Sequence, residues 1–227
     1  MPAYDWDFSV IVQYRGVLIQ AFWMTVRLFT LTLLLAMLMG FVIALLRQSR
    51  FVAVRAAIIL WIEVVRSIPP LVIVVWFYYC LPIVSGISFD SFTTCVIALS
   101  IYTSVFFAEI VRAGLQSIDR GQVEAALSVG MTSGQVLRRI TGPLAFLRMV
   151  PPFTSQCVLT IKATVLASYV AVGEMLYEAQ RLSVHTFRPM EFLTIVAIFF
   201  IVTILPLTMF SGYLERKYNN KYFNNQK

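Results

Sequence analysis

From Val17 to Leu46 the chain carries a single charged residue, Arg27, and no other feature narrows its fold as much. A helix rises about 1.5 Å per residue, so a run of this length crosses a hydrocarbon core of about 30 Å with some tilt. In lipid each backbone polar group must be satisfied within the protein, which makes a helix the natural form of such a run. Four further apolar blocks follow: about 56–83, interrupted by Ser67-Ile68-Pro69-Pro70, then about 92–111, about 147–172 and about 191–214. Of the 227 residues 59% are hydrophobic and 13% charged, whereas soluble domains run near 45–50% and about 25%. The sequence therefore predicts an all-α integral membrane protein of about five transmembrane helices, forming one domain over 1–227.

Orientation follows from the basic residues. With the N-terminus outside, twelve of the 18 Lys and Arg fall on the inner side: Arg47, Arg50, Arg55, Arg112, Arg120, Arg138, Arg139, Arg148, Arg216, Lys217, Lys221 and Lys227. Only Arg15, Arg181 and Arg188 fall outside, while Arg27, Arg66 and Lys162 lie within spans. The positive-inside rule places the C-terminus in the cytoplasm. The net charge of +7 is then a signature of topology, not of nucleic-acid binding. Positions 1–14 hold Asp5 and Asp7 and no Lys or Arg, unlike the basic start of a cleavable signal peptide. Cys80, Cys95 and Cys157 are far apart and form no C-x-x-C pair, so neither a disulfide framework nor a metal site is expected. None of the ten glycines precedes a lysine, which rules out a phosphate-binding loop and an ATPase on this chain. With His185 as the only histidine there is no H-E-x-x-H motif, and a histidine-based triad is not expected.

The segment of about 112–146 is too polar to cross lipid. Asp119 with Gln122, and Thr132 with Gln135, have the spacing of a helix N-cap and its N3 partner. Val123, Leu127, Gly130 and Met131 fall on one helical face, and Val136, Leu137 and Ile140 on another. Gly130 and Gly134 flank a sharp reversal. The pattern predicts two short amphipathic helices, either lying on the bilayer or docking a soluble partner.

Glu124-Ala125-Ala126, then Gly130, Ile140 and Pro143, resembles the EAA loop of ABC-importer permeases. Ser104 to Ile118 followed by Gly121-Gln122, together with Arg66-Ser67-Ile68-Pro69 and Ile161-Lys162-Ala163-Thr164, resembles the polar amino-acid subfamily. The resemblance covers most of the chain and implies a type I importer fold with a cytoplasmic two-helix coupling loop and no cofactor. It implies four kinds of partner: a second permease subunit (the same chain or a related one), cytoplasmic ATP-binding subunits, an extracytoplasmic solute-binding protein, and the lipid bilayer. It also implies the bacterial inner membrane. Four departures stand out: Gly142 and Leu144 flank Pro143 where Leu and Gln are usual, and Ala163 and Val165 replace an Asp and a Ser beside Lys162. The first two could loosen the second short helix. The exchanges beside Lys162 remove two polar groups from that motif.

A charge in the middle of a span costs about 2.5–3.5 kcal/mol on insertion scales, so it faces a partner or a cavity. Glu63 and Arg66, at i and i+3, can pair. Ser67 can cap a half-helix starting at Pro69, whose N-terminus would offer a mid-membrane carboxylate site beside Arg66. Glu109 and Lys162 are the other pathway candidates. All of these could instead be structural ion pairs at a subunit seam. Three basic against two acidic residues within the spans lean the substrate toward glutamate or aspartate. A basic amino acid, glutamine or an opine remains an alternative, and an ion-coupled carrier or channel is the rival of a different class.

Overall fold

The computed structural model describes residues 4–222, so Lys227 and the end of the Asn-rich tail lie outside the described residues. A short α1, Ser9–Gln13, leads into the long α2, Arg15–Leu46. Then come α3, Val52–Ser67, and α4, Pro70–Ser85, which meet at an angle of 99°. Ile68 and Pro69 are extended at this break, as the residue before a proline prefers. Pro70 occupies the first helical position, where its missing N–H costs nothing. Asp90 starts α5, Ser91–Gln116, by accepting the Thr93 N–H at 3.1 Å.

The short α6, Arg120–Ser128, is followed by α7, Ser133–Val136, a π-type turn at Leu137–Thr141, and α8, Gly142–Ala163. These last pieces form one apolar stretch continuing through a 3₁₀ segment, Thr164–Val170. The short α9, Met175–Thr186, begins at fully buried Glu174, which accepts the N–H groups of Leu176 and Tyr177. The last helix is α10, Pro189–Tyr222. Among the described residues four helices are long and apolar enough to cross a membrane, and the bent pair α3–α4 passes the same test when taken together.

The centre of the bundle is the seam between α2 and α5. On α2 the buried positions Ala21, Thr25, Leu28, Thr32, Ala36 and Gly40 recur every three or four residues, and most are small. Small residues let helix backbones approach closely, which matters in lipid where apolar burial gives little net drive. Along the seam Ser100 Oγ donates to the Thr32 carbonyl at 3.2 Å. A Cβ on Gly40 would sit 2.6 Å from Phe107 Cβ and 2.7 Å from the Ser104 carbonyl. Further along, Arg47 pairs with Glu109. The register advances in the same sense on both helices, so α2 and α5 are parallel. Parallel neighbours need a return crossing between them, and α3–α4 is the only stretch that can make it.

The other end of the bundle is closed by the N-terminal segment. Tyr4 Oη donates to Glu191 Oε2 at 2.5 Å, and the Asp7 N–H donates to Glu191 Oε1 at 3.0 Å. His185, at the end of α9, lies edge-on to the Tyr14 ring at 6.4 Å. The N-terminus and the α9–α10 turn therefore share one face of the protein, and α6 lies on the opposite face, beyond the far ends of α2 and α5.

Candidate functional site

Three of the charges predicted to line a pathway are gathered into one network at the α6 end. Glu109, largely buried, pairs through Oε1 with Arg47 and through Oε2 with Arg112, whose Nη2 and Nε lie 2.8 and 2.9 Å away. Arg66 Nη1 stands 3.8 Å from Glu63 Oε1, and its guanidinium lies 5.8 Å from the centre of the Phe106 ring, one helical turn before Glu109. Burial holds the Arg47 guanidinium below its ordinary range; Arg112 and Arg66 push it the same way, and Glu63 opposes them. Arg47 and Arg112 are thus members of the site that the sequence reading assigned only to topology. The signal for Arg112 was its i+3 spacing from Glu109. Arg47, at the C-cap of another helix, had no local signal.

Beside the network an open groove of about 620 Å³ runs between α5 and α8, lined by Phe106, Glu109, Ile110, Ser155 and Gln156 among others. Gln156 is buried although polar. Gly114 allows the two helices to meet there, since a Cβ would fall 2.4 Å from Met149 Cγ.

Three expectations change. Ser67 does not cap the second half-helix: its hydroxyl donates back to the Glu63 carbonyl at 2.7 Å, within α3. Pro69 is itself the N-cap and the helix starts at Pro70. The residues just before the break lie close enough to the C-cap of α2 for Glu63 and Arg66 to act electrostatically on Arg47. Lys162 is not gathered with the others. It is exposed, on a separate groove of about 400 Å³ against Phe200, Ile204 and Thr208 of α10.

At the same end, α6 is an exposed helix built by its caps. Asp119 is its N-cap and accepts the Gly121 N–H at 2.7 Å. At the C-terminus Gly130 has φ +85°. Its N–H bonds to the Leu127 carbonyl at 3.0 Å and the Met131 N–H to the Ala126 carbonyl at 3.2 Å, a Schellman motif that needs a left-handed residue. Thr132 and Gln135 close a capping box, with bonds of 2.9 and 3.3 Å.

Glu124 and Ala125 are exposed, while Ala126 is buried against its own subunit. Leu127 and Val129 are exposed as well, so the apolar face predicted through Val123 and Leu127 is not the inward one. Ile140 falls in the π-type turn and Pro143 in the first turn of α8. Gly142 suits that wide turn: a Cβ there would lie 2.6 Å from the Leu137 carbonyl. The second short helix is therefore the root of α8.

A long parallel seam, a broken second span and a cap-built helix between two spans define a membrane component of an ABC importer. Residues 18–220 match the family described as binding-protein-dependent transport system inner membrane component. The chain is 31% identical to the probable glutamine ABC transporter permease protein GlnM of Bacillus subtilis (strain 168), over 94% of this chain and 99% of that protein. It is 28% identical to the glutamate/aspartate import permease protein GltK of Escherichia coli O6:H1, covering 94% and 99%. A crystal structure of an amino acid ABC transporter with histidines superposes with a TM-score of 0.87 at 30% identity, covering 94% of this chain and all of that one. The chain belongs to this family of inner-membrane transport components, among the permeases of the polar amino-acid group.

Proposed function

We propose that this chain is the membrane-spanning half of an importer that moves a polar amino acid into the cytoplasm, with ATP hydrolysed by a partner subunit. The observation that carries the coupling role is α6: a short helix fixed by caps at both ends, with Glu124, Ala125, Leu127 and Val129 exposed on it. A helix held this way can transmit force from a cytoplasmic ATPase to α5 and α8. We place the α6 end in the cytoplasm and the Tyr4 end outside, on the bias of basic residues. Cysteines introduced at Ser9 and Asn225 should then label from opposite sides.

The pathway reading runs along the groove between α5 and α8, with Arg66 and Phe106 near its edge. A second permease subunit would complete that groove, and an extracytoplasmic binding protein would deliver the substrate. The lean toward glutamate or aspartate is weakened by the pairing of Arg66 with Glu63 and supported by Lys162, which has no carboxylate partner among the described residues. GlnM and GltK, 31% and 28% identical to this chain, carry names that divide between glutamine and glutamate/aspartate.

Gly130→Asp in the assembled transporter is the test. A Cβ at Gly130 meets nothing within 4 Å in this subunit, and Asp and Asn both tolerate left-handed backbone. The charge would have to be desolvated only in a docked seam. Gly130→Asp should abolish substrate-stimulated ATP hydrolysis and uptake while Gly130→Asn retains most of both. Normal uptake by Gly130→Asp overturns the coupling role. Uptake by the unmodified complex with glutamate, glutamine and arginine in competition decides the substrate, and preferred arginine overturns the acidic lean.

A further inference from the structure

The first described residues alternate aromatic and acidic: Tyr4, Asp5, Trp6, Asp7, Phe8. From Tyr4 to Asp7 they belong to no helix. The three rings form a ladder. Tyr4 and Trp6 meet edge-on at 5.3 Å, and Trp6 and Phe8 stack at 5.5 Å with planes 5° apart. Aromatic side chains that had found a place in the protein core would be covered. These are 42%, 48% and 45% exposed.

The strap that carries the rings is fixed, so their exposure is not that of a loose end. Fully buried Glu191 accepts from Tyr4 Oη and the Asp7 N–H, and Arg188 Nη1 donates to the Asp5 carbonyl at 2.5 Å. Asp7 turns its carboxylate onto Ser9, whose side chain and N–H (the latter at 2.9 Å) hold it below the usual carboxylate range. Val10 then packs with Leu18, Phe192 and Val196 in a small core between α1, α2 and α10.

The latch also sets the depth of the ladder. Glu191 lies in the first turn of α10, whose apolar span starts at Pro189, and the strap runs on into α2, whose span starts at Arg15. Both helices begin their apolar spans at this end of the bundle. Rings with an apolar body and, in Tyr4 and Trp6, a polar edge favour the boundary between membrane and water.

We propose that Tyr4, Trp6 and Phe8 form an interfacial lipid anchor, seated among the headgroups and upper acyl chains of the bilayer beside α2 and α10. It fixes the height of the strap, and through Glu191 that of α10, relative to the membrane surface. The chemistry is that of any phospholipid headgroup region and calls for no particular headgroup.

The test uses the assembled transporter in lipid nanodiscs. The emission of Trp6 is taken as the difference between the unmodified complex and Trp6→Phe, because the chain has four tryptophans. Lipids carrying a nitroxide at the headgroup should remove most of that difference signal. A nitroxide at the end of the acyl chain, or iodide in the water, should leave most of it. If iodide removes it and the lipid labels do not, the ladder faces water or a soluble partner and the anchor is overturned. If no quencher reaches it, another protein surface covers the rings, and the anchor is overturned equally. Phe8→Trp in the Trp6→Phe background repeats the measurement from the neighbouring ring, should the first variant assemble poorly.

Discussion

The α2–α5 seam and helix α6 are built on opposite plans. The seam is long, buried and made mostly of small residues on α2, so its strength is backbone approach and dispersion summed over many atoms. Helix α6 is short and exposed, and its order comes from hydrogen bonds at its two ends. A seam of the first kind tolerates no added volume; a helix of the second kind tolerates added volume but no loss of its caps. The bundle is thus closely packed where two spans of one chain must stay together, and exposed at α6.

The largest effect expected from this contrast is at Gly40. Gly40→Leu would drive atoms into Phe107 and the Ser104 carbonyl, which cannot move without parting the helices. Overpacking costs about 1–3 kcal/mol in well-packed cores and more where backbone must shift. The variant should lose most of its folded yield, as read by size-exclusion in detergent and by thermal unfolding. A normal melting temperature would show that the seam is looser than its geometry implies.

An intermediate effect is expected where the seam ends, at Arg47 and Glu109. Glu109→Gln leaves Arg47 and Arg112 without their shared carboxylate, at about 1–3 kcal/mol for largely buried groups. Arg47→Met together with Glu109→Leu should recover part of that loss, because both charges are removed together. A double variant no more stable than Glu109→Gln would break the view that this pair closes the seam.

The smallest effect on stability belongs to Arg66, which is exposed and 3.8 Å from Glu63. Arg66→Ala should cost under about 1 kcal/mol, leaving complex yield and basal ATPase activity near normal while slowing amino-acid uptake. Lys162→Ala is the companion variant in the separate groove on α10. Unchanged uptake in both would place the substrate pathway elsewhere.

The parts of this design readable in the sequence are those fixed by neighbours in the chain. The apolar blocks, the break before Pro70, the Asp119 cap and the Thr132–Gln135 box each depend on residues within a few positions. The pairing of Arg47 with Glu109 and the latch of Tyr4 on Glu191 do not, since their partners lie 62 and 187 positions apart. The seam lies between these cases. The spacing of Ala21, Thr25, Thr32, Ala36 and Gly40 marks a close-contact face, but nothing in α2 names α5 as its partner. Hydropathy likewise located the α3–α4 block but not the 99° angle at its break.

The parallel alignment of α2 and α5 also bears on how the protein is made. When α2 leaves the ribosome its partner does not yet exist, because α5 is finished only at Gln116, roughly 70 residues after Leu46. At about 5–20 residues per second that is a wait of roughly 4–14 seconds. Through that interval the small-residue face of α2 must rest against lipid or the insertion machinery. The Thr25 hydroxyl needs no outside partner meanwhile, because it donates to the Ala21 carbonyl of its own helix at 3.0 Å. A nascent chain stalled before α5 would therefore be inserted but incomplete, with a bare face by which membrane quality control could recognise it.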